Sequence, residues 1–250
     1  MPTPSFLDTP SGRKIAYHQS EGAGPGIVFL GGFKSDMEGT KAVFLEEWCR
    51  AEGRAFLRFD YSGHGQSSEA FTDGAIVDWA EHAFQAITSL TEGPQVLIGS
   101  SMGGWISLLL AGRIERIAGL VTIAAAPDFT EDSMWGGFTD AQKAELESTG
   151  QVALPSDYGE PYIITKRLIE DGRNNLVLRD PLHLPFPTRF LQGTEDVDVD
   201  ISVAMRLIAH AEGPDIRLVV LKGADHRFSE PDALQLIKDA TNNVFQMLVA

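Results

Sequence analysis

QVLIGSSMGGW, residues 95–105, is the stretch on which the fold turns. An apolar run, QVLIG, meets two serines and then glycines that open a second apolar run, ISLLLAG. The first reads as a strand buried on both faces of a parallel sheet and the second as a helix packed upon it. A sharp turn between such elements lifts one serine to the carboxyl end of the sheet, and it is tight enough that the residues two before and two after must be small. Gly99 and Gly103 meet that condition for Ser101, whereas centring the turn on Ser100 places Ile98 and Met102 at the crowded positions. Ser101 is therefore the candidate nucleophile and Ser100 a small spacer. A serine hydroxyl becomes useful only when the backbone exposes it and a base can take its proton.

Outward from this stretch the pattern repeats. PGIVFLGG (25–32), RAFLRFD (54–60), AGLVTIAAA (118–126), TRFLQG (188–193) and IRLVVLKG (216–223) are further strand-like runs. Helical segments separate most of them: residues 37–52, opened by a capping box at Ser35-Asp36-Met37-Glu38, then 73–90, about 200–211 and the stretch after Ser229. In the first of these helices Phe44, Leu45, Trp48 and Cys49 fall toward the core. FLDTPSGRKIAYHQ (6–19) reads as a hairpin turned at Pro10-Ser11-Gly12. The alternation predicts an α/β fold: a mostly parallel, doubly wound sheet with helices on both faces. Between Pro127 and Pro187 the rhythm fails for about 60 residues, more than a connection in such a fold needs, and Trp135, Phe138, Tyr158 and Tyr162 lie in this interval. We expect one domain over residues 1–250 with 127–187 inserted as a small cap.

Composition narrows the partners. Asp and Glu number 35 against 20 Lys and Arg, a net charge of −15, which argues against a binder of nucleic acid or an anionic membrane surface. Cys49 is the single cysteine, so neither an intrachain disulfide nor a cysteine-based zinc site is available. MPTPSFLDTPSGRKIAYHQ lacks the apolar core of a secretory signal and the arginine-rich character of a transit peptide, and no run reaches the roughly 18 apolar residues of a membrane helix. The expectation is a cytoplasmic protein without membrane insertion, acting on small molecules, acyl groups or another protein.

A nucleophilic serine needs a base and an acid that orients it, each at the carboxyl end of a later strand. Asp196 in RFLQGTEDVDV follows one strand and His226 in VVLKGADHRF follows the next. Glu195, Asp198 and Asp200 surround Asp196, but a calcium loop is a poor fit because its glycine and closing glutamate positions hold Ile201 and Leu207. No metal or cofactor is expected. His18, His64, His82, His183 and His210 do not follow the last strand and read as packing or surface residues. Oxyanion donors would be the backbone N–H of Met102, which begins the helix after the serine, and that of Phe33 in LGGF. Trp135 and Phe138 are the candidates for the acyl pocket.

FDYSGHGQS (59–67) together with the serine turn identifies the chain as resembling the α/β-hydrolases along its whole length. GGFKSDMEGTKA (31–42), RFDYSGHGQSS (58–68), GSSMGGW (99–105) and GTEDVDV (193–199) resemble, more narrowly, the small serine hydrolases related to mitochondrial palmitoyl-protein thioesterase and acyl-glucuronide esterase. That resemblance implies hydrolysis of acyl thioesters and carboxylic esters, acyl-glucuronide-type esters among them, by Ser101, Asp196 and His226. The substrate would be a small acyl ester or thioester or an S-acylated protein, the last implying depalmitoylation. The sequence is silent on oligomeric state. A non-enzymatic ligand-binding protein of the same fold, a carbon–carbon hydrolase and an acyltransferase stay open at this point, since each accommodates the same residues.

Overall fold

The structure, a computed structural model, describes residues 3–155 and 161–248; Tyr158 lies outside the described residues. A hairpin of β1 (Ser5–Asp8) and β2 (Lys14–Ser20) leads into β3 (Ala23–Leu30), α1 (Thr40–Ala51), β4 (Arg54–Phe59), α2 (Ile76–Leu90), β5 (Gln95–Ser100), α3 (Met102–Ala111) and β6 (Ile117–Ile123). A π-helical turn at Thr130–Trp135 follows, then α4 (Asp140–Thr149), β7 (Gln151–Leu154), β8 (Tyr162–Thr165), α5 (Lys166–Arg173) and the short β9 (Leu182–His183). The chain returns to the main sheet with β10 (Thr188–Gly193), α6 (Ile201–His210), β11 (Ala211–Glu212), β12 (Ile216–Leu221) and α7 (Pro231–Leu248).

Eight strands form the main sheet in the order β1-β2-β4-β3-β5-β6-β10-β12, antiparallel in the first three and parallel from β4 onward. Successive strand residues point to opposite faces, and in the central strands both faces are buried. Val28, Leu97, Leu120 and Phe190 join one core with α2, α3 and part of the 127–187 segment, while Ile27, Ile98, Val121 and Leu191 join another with α1 and α7. Burying each such side chain contributes about 1.5–3 kcal/mol, which is why the central strands read as unbroken apolar runs.

One local expectation is corrected here. The Ser35–Glu38 capping box does not form: α1 begins at Thr40 after Gly39, which has no side chain to cap it. The candidate cap residues are engaged elsewhere. Ser35 Oγ donates to Gly32 O (2.9 Å), Asp36 accepts the N–H of Glu38 (2.9 Å), and the buried Asp60 carboxylate takes the N–H of Met37 (2.7 Å). Asp60 also accepts the N–H of Gln66 (2.9 Å), so the loop after β3 and the turn after β4 share one anchor. Burial pushes its carboxyl up to about 6 against those hydrogen bonds.

Candidate active site

Ser101 stands at φ +53°, ψ −116°, a strained conformation for a residue with a Cβ, between the last residue of β5 and the first of α3. The turn tolerates it because its flanks are bare. A Cβ on Gly99 would lie 2.4 Å from Gly103 O, and one on Gly103 would lie 2.1 Å from Leu30 O. Backbone hydrogen bonds hold the bend: Ser101 N–H to Ile123 O (2.9 Å), and Gly104 and Ala126 N–H to Ser101 O (2.9 and 3.1 Å). Ser100, directly before it, is the final residue of β5 and is buried.

His226 lies in the loop after β12, with Nε2 3.2 Å from Ser101 Oγ and Nδ1 2.9 Å from Asp196 Oδ2. That loop is fixed by a bond from Phe228 N–H to Asp225 (3.1 Å) and by the Lys41 ammonium on Arg227 O. Asp196, in the loop after β10, is buried and receives the N–H groups of Asp198 (3.0 Å) and Val199 (2.8 Å) and the Gln192 amide (3.0 Å). Such a line of hydroxyl, imidazole and carboxylate can move a proton off the serine and stabilise the resulting imidazolium.

The two residues expected to supply oxyanion donors lie near Ser101: Met102 follows it in the chain and Phe33 lines the same cavity. Met102 is the first residue of α3, so its N–H has no acceptor within the helix. Phe33 follows β3 beside Gly32, whose Cβ position lies 3.3 Å from the Ser101 Cβ. The Phe33 ring packs edge-on against Phe71 (4.9 Å), Phe129 (5.4 Å) and Tyr162 (5.9 Å), joining the 127–187 segment to the sheet.

Ser101 and His226 open onto a cavity of about 630 Å³. Its walls correct the sequence-derived acyl pocket. From the 127–187 segment, Phe129, Ser133, Met134 and Tyr162 line it, and Trp135 and Phe138 do not. Phe138 is buried in the core, and the Trp135 ring carries the Arg173 guanidinium at 4.5 Å and the Lys143 ammonium at 5.1 Å. Sequence reasoning also passed over Lys34, Lys41 and Arg227, which line the same cavity; the signal for two of them was adjacency, since Lys34 follows Phe33 and Arg227 follows His226.

Asp196, Asp198 and His226 bring ligand atoms within 4.8 Å of one another, the one such group among the described residues, yet His226 Nδ1 is already committed to Asp196. Asp200 instead caps α6 through the Ser202 N–H (2.8 Å). The remaining histidines sit apart. His18 meets Glu38 (3.1 Å), His183 meets Glu212 (3.1 Å), and His210 meets Asp180 O (2.7 Å). His64 and His82 are buried, and desolvation holds each down to about 4.

A family model described as the Alpha/beta hydrolase family matches residues 27–236. The mitochondrial palmitoyl-protein thioesterase ABHD10 of Rattus norvegicus is 34% identical over 94% of this chain and 80% of its own, and that of Homo sapiens is 34% identical over 93% and 77%. Among solved structures, a putative hydrolase from Agrobacterium vitis S4 superposes with a TM-score of 0.91 at 36% identity, covering 96% of this chain and 97% of that one. Mouse alpha/beta hydrolase domain-containing protein 10 does so with a TM-score of 0.90 at 31% identity, covering 99% and 100%. The curated names overturn the cytoplasmic expectation, because they point to mitochondria instead. A targeting address is read by receptors and leaves no mark on a hydrolase core, so the core's sequence carried no information on compartment.

Proposed function

The chain belongs to the alpha/beta hydrolase family and is a hydrolytic enzyme; from that premise we propose that it cleaves acyl thioesters and carboxylic esters through an acyl-enzyme on Ser101. The observation that carries this reading is the hydrogen-bonded line from Ser101 Oγ to His226 Nε2 (3.2 Å) and from His226 Nδ1 to Asp196 (2.9 Å), at the wall of the 630 Å³ cavity. His226 accepts the Ser101 proton as Oγ attacks the acyl carbon, and the oxyanion rests on the N–H groups of Phe33 and Met102. His226 then gives that proton to the departing thiolate or alkoxide. In the second half, water attacks the acyl-enzyme, its proton passes to His226, and the acid leaves as Ser101 is restored. Asp196 holds the Nδ1–H tautomer throughout. Residues 127–187 serve as a cap on a single hydrolase unit spanning 1–250, with Phe129 and Met134 offering apolar surface to the acyl chain. The names of the relatives extend the proposed substrates to palmitoyl thioesters on proteins, and acyl-glucuronide-type esters meet the same chemistry.

The test is direct. Ser101→Ala should lower kcat on a p-nitrophenyl ester and on an acyl thioester by about 10⁴- to 10⁶-fold, whereas Ser100→Ala keeps most of the activity. Labelling with an alkyl phosphonate and mapping the peptide should place the adduct on Ser101; an adduct on Ser100 alone would overturn the assignment.

A further inference from the structure

The chain is acidic, with 35 Asp and Glu against 20 Lys and Arg, so its cations readily find carboxylates. Arg58, Arg173, Arg179 and Arg206 each pair with one at 3.0 Å or less. Lys34 and Lys41 are different. Both line the cavity that holds Ser101 and His226, and among the described residues no carboxylate pairs with either ammonium.

Each is held in place by other means. Lys34 stands at φ +57°, a left-handed conformation directly after Phe33, and its ammonium rests over the rings of Tyr162 (5.1 Å) and Phe71 (5.5 Å). Lys41 is partly buried in the first turn of α1 and donates to Arg227 O, beside His226. Burial pushes its ammonium down to about 8, with Asp225 opposing and Arg227 adding to the shift. The end of α1 acts in the same direction, because Gly39, Thr40 and Lys41 line the cavity and the first turn holds no acidic residue. Asp36 and Asp198 also line the cavity, but both are engaged: Asp36 accepts the Glu38 N–H, and Asp198 has partners of its own. Arg227, a third cation in the cavity lining, is likewise engaged.

We propose that Lys34 and Lys41 form a subsite for an anionic group, a carboxylate or a phosphate, carried on the leaving half of the ester or thioester. The proposal rests on the Ser101 reading above and deepens it to a substrate class. The leaving group is the half that His226 protonates, and Lys41 is tied to the residue next to His226, so its charge falls on that half. The acyl chain takes the other side, against Phe129 and Met134. An enzyme built this way prefers acyl groups on acidic carriers over the same acyl groups on neutral alcohols or thiols.

The test uses hexanoyl esters of three phenols: 4-hydroxybenzamide, 4-hydroxybenzoate and 4-hydroxyphenyl phosphate. The readout is kcat/KM on each anionic ester divided by that on the neutral amide, so that any general loss cancels. In the unmodified enzyme at least one ratio should be about tenfold, the size conferred by one hydrogen bond to a charged group. The arm that shows it identifies the anion as carboxylate or phosphate. Lys34→Met and Lys41→Met should each collapse that ratio, and Lys34→Arg should restore it. Ratios near unity in the unmodified enzyme, or ratios that survive both methionine variants, overturn the subsite while leaving hydrolysis intact. Hydrolysis that survives Ser101→Ala strikes down the serine reading, and the subsite with it.

Discussion

Asp196 and Asp198 carry the same carboxylate two positions apart and hold it in different company. Asp196 is buried, takes three N–H donors and faces His226 Nδ1; Asp198 lies exposed on the cavity wall. Replacing the first with asparagine leaves the shape in place but can hold the imidazole in the wrong tautomer, so Asp196→Asn should lower kcat by about 10⁴-fold. Asp198→Asn should cost less than about tenfold, because both imidazole nitrogens are already engaged, Nδ1 by Asp196 and Nε2 by Ser101. Steady-state kinetics on one ester decides between them, and equal losses would reject the assignment of the acid. At this scale the sequence was highly legible wherever a covalent or steric demand singles out a residue type. Gly99 and Gly103 identified Ser101 because no Cβ fits beside Gly103 O and Leu30 O. Ser35 misled because a hydroxyl has several acceptors within reach, and the carbonyl of Gly32 won.

The element that resisted reading is the turn at Thr130–Trp135. Its π-helical winding advances each side chain by less than an α-helix does, so α spacing does not tell which of its side chains face the cavity. Met134 and Ser133 turn into the cavity while Trp135 stacks beneath Arg173 and Lys143. Met134→Ala should therefore weaken a decanoyl ester relative to an acetyl ester by about 1–2 kcal/mol in kcat/KM, the value of a few buried methylene-sized groups. Trp135→Ala should leave the ratio of the two substrates unchanged. Measuring both chain lengths on both variants checks it, and a selective loss in Trp135→Ala would return that ring to the acyl site. The strands of the main sheet were readable for the opposite reason. Both faces of β5, β6 and β10 are buried, so nearly every residue is constrained to be apolar or small.

Across the whole molecule, the buried ionisable groups set how stability responds to acid. His64 and His82 are held neutral by burial, each down to about 4 from an ordinary 6.5, while the unfolded chain takes up protons at its ordinary value. Their contribution is complete above pH 6.5 and is lost as pH falls toward 4, at up to ~1.4 kcal/mol per pH unit for each. Asp60 works the other way: pushed up to about 6 from 3.8, it makes the fold less stable as pH rises between those values, offsetting one histidine over part of the range. His82→Asn should flatten the dependence of unfolding free energy on pH by up to ~1.4 kcal/mol per unit between about pH 4.5 and 6.5, measured by urea titration. An unchanged slope would mean that His82 is protonated in the fold.

The place of β12 gives the last consequence. Among the described residues it is an edge of the sheet, bonded to β10 alone and partly open to solvent along its length, and it is also the strand that leads to His226. Edge elements open at lower free-energy cost than buried ones. On the proposed mechanism activity therefore depends on an edge strand, while the serine turn follows a strand buried at the centre of the sheet. As guanidinium is raised, esterase activity should vanish at a lower concentration than the fluorescence of the buried Trp79 and Trp105 reports melting; coincident midpoints would show that the edge and the centre open together. During synthesis the same arrangement keeps Ser101 without the His226 imidazole until the last strand is made, so on the proposed mechanism an incomplete chain holds a serine it cannot use.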